Sequence, residues 1–135
     1  WQVLIGFFTM HFTASIIMGT VFQLAHLVES VEEPLPNEAG EIHSQYAVHQ
    51  LETTCDFGKK GGLFSWYVGG LNFQVEHHLF PHICHIHYPK LAIIVEQTAK
   101  EYNQPYNSYE TINGAFRSHL RTLKRLGRCE LKQKA

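Results

Sequence analysis

Residues 1–27 contain no Asp, Glu, Lys or Arg and are dominated by Phe, Ile, Leu, Val, Met, Gly and Ala. As a helix rising about 1.5 Å per residue, this run is about 40 Å long, enough to cross a bilayer core with some tilt. A buried helix of that kind in a soluble protein needs a large surround, and the whole chain has only 135 residues. The run is therefore read as a transmembrane helix. It does not read as a secretory signal, because no basic segment precedes it and no small-residue cleavage site closes it. His11, Ser15, Gly19 and Gln23 recur every four positions. That stripe is expected to face other helices or a cavity rather than lipid.

Such a helix should emerge from the bilayer near His26. An isolated histidine there is an ordinary interfacial residue. It gains another meaning if it meets further histidines, and the chain has ten, six of them (His49, His77, His78, His82, His85, His87) within thirty-nine positions. The densest pattern is GGLNFQVEHHLFP, from Gly69 to Pro81. At about 100° per residue, Gln74, His77 and His78 fall on one side of a helix, an amide and two imidazoles on a shared polar face. Neutral imidazole is the commonest protein metal ligand, and neighbouring histidines can turn toward one metal or two adjacent ones. Gly69 and Gly70 permit a sharp turn before the helix, and Pro81 disfavours its continuation. Taken alone, QxxHH reads as an ordinary surface histidine pair rather than a ligand set.

The remaining segments read as supports. Residues 28–62 form an acidic connector and irregular segment, with Glu29, Glu32, Glu33 and Glu38 around Pro34 and Pro36, and His43 in its exposed part. Without a DxDxDG arrangement these carboxylates read as a solvated face. Residues 46–57 show no helical stripe over their length and are expected to be extended or irregular, with His49 and Gln50 available for hydrogen bonds to ligand histidines. Glycines and lysines at 58–62 make a turn. Residues 63–68 are apolar but too short to span a bilayer, and Phe64, Trp66 and Tyr67 suit a membrane interface.

His82, Cys84, His85 and His87 lack the spacing of a closed zinc site and are expected to pack or to hydrogen-bond. Residues 89–102 read as a helix burying Leu91, Ile94, Val95, Thr98 and Tyr102, with Pro89 in its first turn. Residues 111–126 read as a second amphipathic helix, with Ile112, Ala115, Phe116, His119, Leu120 and Leu123 on one side and Gly127 as its stop. Residues 63–135 thus form a helical cap that ends in a basic stretch: Arg117, Arg121, Lys124, Arg125, Arg128, Lys132 and Lys134 against Glu130. Such a run is a solvated face, a contact for acidic lipid or a dock for an acidic redox partner. A formal charge of −1 argues against nucleic acid as a partner. Cys55, Cys84 and Cys129 form no CxxC, which fits a reducing, cytosolic face.

Taken together, an apolar span ending in His26 and an octapeptide QVEHHLFP some fifty residues later resemble the C-terminal part of a membrane fatty acid desaturase. The match is to the front-end type, whose third histidine box reads QxxHH. HQLETTCDF at 49–57, the run at 69–89 and the closing PYNSY…HLRTLKRLG extend the resemblance over nearly the whole chain. Asp56 stands where that pattern leads one to expect Asn. The resemblance implies an all-α, integral-membrane protein with its C-terminal region on the cytosolic side. It implies two non-haem irons with His26, His77 and His78 among their ligands and Gln74 as a weak or outer one; Gln23 and His49 are read beside it as further weak or outer candidates.

The implied activity is oxidoreductive: dioxygen and two electrons, delivered by a cytochrome b type haem protein or a ferredoxin, introduce a double bond into a fatty acyl chain linked to coenzyme A or lipid. A membrane hydroxylase of the same superfamily and a non-catalytic histidine-rich membrane module are the competing readings. The chain begins at Trp1 rather than Met, as expected of a piece of a longer polypeptide, and holds neither an HDxxH nor an HxxHH box nor a haem-binding HPGG. By itself it is expected to be inactive.

Overall fold

The computed structural model describes residues 1–42 and 44–128. His43, and Cys129, Glu130, Lys132 and Lys134 of the closing stretch, lie outside the described residues. The apolar run forms one helix, α1 (Gln2–His26), long and apolar enough to cross a membrane by length and composition. Most of its length is exposed, and only Val21, Leu24 and Ala25 near its end are buried.

The cap gathers around that end. Its elements are α2 (Tyr46–Thr53), β1 (Asp56–Phe57), α3 (Gly62–Tyr67) and α4 (Gln74–Leu79), followed by a 3-10 turn (His85–His87), α5 (Tyr88–Glu101), β2 (Ser108–Tyr109) and α6 (Ile112–Gly127). The protein is mainly helical, as expected. Among the described residues the exception is one parallel pair, Asp56 with Ser108 and Phe57 with Tyr109, which ties the middle of the cap to the approach to α6.

A first apolar cluster joins Val21, Leu24 and Ala25 of α1 to Phe57, Val68 and Ala115. A second joins Leu51, Val75, Val95 and Ala99, and a third Phe73, Tyr88 and Ala92. These last two clamp α4 between α2 and α5. Polar ties then lock α6 to the end of α1: His119 Nδ1 lies 2.9 Å from the Leu27 carbonyl oxygen, and the Glu29 N–H donates to Ser118 Oγ at 2.8 Å.

Three expectations are corrected. Residues 46–53 are helical rather than extended, because Leu51 buries against Val75 and the Thr53 and Thr54 hydroxyls bond back to the His49 and Gln50 carbonyls. The buried face of α5 is Tyr88, Ala92, Val95 and Ala99, whereas Ile94 and Tyr102 are exposed. Alanines there allow close approach to α4, which outweighs the area that the larger residues would bury. On α6 the buried residues are Ala115, Ser118, His119 and Thr122, while Phe116, Leu120 and Leu123 stay partly exposed, and the helix runs through Gly127 to a cap at Arg128.

Candidate metal centre

The short helix α4 carries the QVEHHL segment, and each of its ends has a local cause. Gly69 and Gly70 take positive φ (61° and 76°), and the Gly70 N–H closes onto the Ser65 carbonyl at 2.7 Å, so the chain reverses within two residues. The His77 N–H then bonds the Phe73 carbonyl at 3.0 Å, the Phe80 N–H bonds the Glu76 carbonyl at 2.8 Å, and Pro81 ends the run.

Two of the expected ligands meet. His78 Nε2 lies 3.3 Å from His26 Nε2, across fifty-two residues of sequence. His26 Nδ1 lies 3.2 Å from the Thr53 carbonyl oxygen. That oxygen can only accept, so Nδ1 carries the proton and a neutral His26 ring presents its Nε2 lone pair toward His78. Burial, then the neighbouring His26 and His77, push the His78 imidazole down to about 4, which keeps it neutral. Two metal–imidazole bonds of about 2.1 Å at an angle of roughly 90–110° separate their nitrogens by about 3.0 to 3.4 Å. The observed spacing falls in that range, so the pair fits a shared cation.

His77 faces elsewhere. Its ring is 5.7 Å from that of His78 at 80°, and its Nδ1 is 3.4 Å from the Tyr88 hydroxyl. Among the described residues no three His, Cys, Asp or Glu side chains converge as a closed metal site. Gln74 is fully buried, with both amide atoms unpartnered among those residues, and His49 Nδ1 is buried in the same condition. Buried amide and imidazole groups without partners are costly, so both positions suit a ligand, a water or another part of the polypeptide. Gln23 is exposed on α1. His82, Cys84 and His87 are exposed, and of that group His85 lies against Gly70.

The structure gives Asp56 a role and adds Glu76, Tyr106 and Thr53, which the sequence did not single out. Asp56 is fully buried, and its Oδ1 accepts the Val75 N–H at 3.1 Å in the first turn of α4. The hydrogen bond that an Asn would supply is thus kept. Asp56 Oδ2 accepts from the Tyr106 hydroxyl at 2.7 Å, and that same hydroxyl is 3.1 Å from Glu76 Oε1. One hydroxyl holds one proton. It cannot serve both contacts, so one of the two carboxyls carries a proton of its own. Burial raises both, but Asp56 has the shorter Tyr106 contact, the Val75 N–H and Lys59 beside it, which leaves the proton on Glu76. Burial first, then Asp56, raise the Glu76 carboxyl to about 8, in agreement with that count. Lys59 approaches Asp56 Oδ2 at 3.8 Å and is the cation of this cluster. A signal for Glu76 existed, since it is the one Asp, Glu, Lys or Arg between positions 61 and 81. Thr53 acts through its backbone and left none.

Comparison with known proteins bears on this geometry. The family model described as "Fatty acid desaturase" matches residues 1–110. The sn-1 linoleoyl-lipid 6-desaturase of Synechocystis sp. is 41% identical over 128 residues, which cover 94% of this chain and 36% of that protein. The acyl-lipid (8-3)-desaturase of Physcomitrium patens is 42% identical over 86% of the chain and 24% of its own length. That of Mortierella alpina is 40% identical over 93% of the chain and 28% of its own length. The chain thus spans about a quarter to a third of the curated relatives it matches. No solved structure matches it.

Proposed function

Because the chain belongs to the fatty acid desaturase family, in its front-end branch, we propose that it is the third-box portion of an integral-membrane acyl desaturase, with α1 as a transmembrane helix and the cap on the cytosolic side. The observation that carries the proposal is the meeting of His26 and His78 through their Nε2 atoms at 3.3 Å, at the point where the apolar helix ends. When bound, two non-haem irons supply dioxygen activation driven by two electrons from a cytochrome b type protein or ferredoxin, chemistry that an unactivated C–H bond demands and acid/base side chains lack.

Each residue then has a role. His26 and His78 offer neutral nitrogens to one position, with the Thr53 carbonyl fixing the His26 tautomer. His77, turned toward Tyr88, serves a second position or a ligand from elsewhere in the polypeptide. Gln74 is a weak or water-mediated donor, since an amide binds less strongly than an imidazole. Asp56 positions the box by holding the first turn of α4. The substrate class is a fatty acyl chain, and the lipid-linked form is favoured because the relatives named above are lipid desaturases. The 135 residues alone are inactive under this reading, because the other ligands lie outside them.

The test uses the complete polypeptide, assayed for bound iron and for products from labelled polyunsaturated lipid. His26→Ala, His77→Ala and His78→Ala should each lower iron content and abolish new double bonds. Hydroxylated product without new unsaturation would assign the sister hydroxylase activity. Unchanged iron in all three variants would leave a non-catalytic module.

A further inference from the structure

The helix α3 carries apolar side chains that the cap does not use. Leu63 is 81% exposed, Trp66 74% and Tyr67 62%, within a stretch from Gly61 to Val75 that holds no Asp, Glu, Lys or Arg. In water this would be an unusually apolar surface for so short an element. Its position explains it. Tyr67 and Val68 face Ala14, Ile17, Met18 and Val21 of α1 across an apolar cleft of about 320 Å³. Met18 precedes the end of α1 by eight residues, or about 12 Å of helix, which is most of the hydrocarbon depth of one leaflet. Near that level α1 also exposes Ile16 and Met18, and Phe12 lies deeper still.

From Ser65 to Leu71 the backbone N–H groups are paired as hydrocarbon requires, whereas those of 62–64, in the first turn of α3 next to Lys60, have no partner among the described residues. The N–H groups of Ser65, Val68, Gly69, Gly70, Leu71 and Phe73 all bond to carbonyls within 61–70. Ser65 Oγ accepts from Asn72 Nδ2 at 2.9 Å, so that hydroxyl is also paired. The charge begins immediately outside: Lys60, with its side chain 80% exposed and 3.4 Å from Glu110 Oε1, precedes the apolar stretch.

We infer that α3 and its following turn dip into the leaflet at the His26 end of α1, with Leu63, Trp66 and Tyr67 seated among phospholipid acyl tails. This rests on the reading of α1 as a membrane helix. It adds a second membrane contact on the chain that leads into the histidine box. The glycine turn at 69–70 then joins a lipid-embedded segment directly to α4, so the depth of α3 sets the height of the box relative to the membrane.

The test is spin-label accessibility in the complete polypeptide, reconstituted in phospholipid nanodiscs after removal of other accessible cysteines, Cys84→Ser among them. Labels are placed by Trp66→Cys and, as an independent site should that variant misfold, Leu63→Cys. Phe12→Cys marks the span and Lys60→Cys the aqueous side. Collision with dioxygen, which concentrates in hydrocarbon, and with a water-soluble nickel chelate is measured at each. The oxygen-to-nickel ratio at 66 and 63 should exceed that at 60 several-fold and lie between it and the deeper position 12. Ratios like that at position 60, with position 12 still lipidic, would overturn the inference and leave the membrane reading of α1 intact. Low collision with both reagents would overturn it too, by showing α3 covered by protein. Nickel access at position 12 would remove the membrane reading and this inference with it.

Discussion

Replacing Glu76 with Gln isolates the buried proton beneath the histidine box. In the native chain, Tyr106 has one hydroxyl proton for two carboxyls, so a neutral Glu76 completes the set. Folding raises this carboxyl from an ordinary value of 4.5 to about 8. The folded state therefore keeps a proton that the unfolded chain releases, and stability must fall as pH rises from about 4.5 toward 8. At about 1.4 kcal/mol per pKa unit, the loss across that window is roughly 3 to 5 kcal/mol. Gln mimics the protonated acid, since its amide can donate to the Tyr106 oxygen, and it does not titrate.

The expected result is a variant within about 1 kcal/mol of the native protein near pH 5 and more stable by roughly 3 kcal/mol or more at pH 8. Hydrogen exchange of the α4 amides in the complete protein, corrected for intrinsic exchange, reads this locally. Native protection should fall by about two orders of magnitude or more between pH 5 and 8 relative to the variant. Parallel protection profiles would refute the proton count and, with it, the coupling of Asp56 to Glu76.

Other substitutions probe the supports. Asp56→Ala strips a partner from the Val75 N–H and from the Tyr106 hydroxyl, both buried, and should cost about 3 kcal/mol in thermal stability; Asp56→Asn keeps the Val75 bond but turns an amide N–H toward the Tyr106 hydroxyl, and should cost about half as much. Gly70→Ala would set a Cβ at 2.7 Å from the His85 Cβ at a φ of 76°, and should destabilise by roughly 2 to 4 kcal/mol. His85→Gly in the same chain should recover the contact part and leave the backbone strain, a difference that a double-mutant cycle measures. Thr111→Ala removes the cap that accepts from the Gly114 N–H at 3.1 Å and should cost about 1 kcal/mol, seen as faster exchange at Gly114 and Ala115.

Local chemistry made much of this protein legible before any coordinates. An uncharged run of twenty-seven residues has one economical conformation, and α1 begins and ends within one residue of it. The reversal at Gly69 and Gly70, the stop at Pro81 and Pro89 in the first turn of α5 are steric properties of those residues, so the turn before α4, its end and the start of α5 were legible to within a residue or two. The octapeptide QVEHHLFP carried the family assignment.

Tertiary structure decided everything that depends on which surfaces meet. The segment 46–53 became a helix because Leu51 found Val75, a contact that no window of local sequence contains. The buried face of α5 fell on its alanines, because helix approach depends on the partner as well as on hydrophobicity. His77 and His78 are neighbours in sequence, yet only His78 turns toward His26, since that choice is made by α1 and the Thr53 carbonyl across the fold. Sequence determined which groups are available and how the backbone bends near them. Folding determined which of their lone pairs converge, because convergence is a property of elements fifty residues apart.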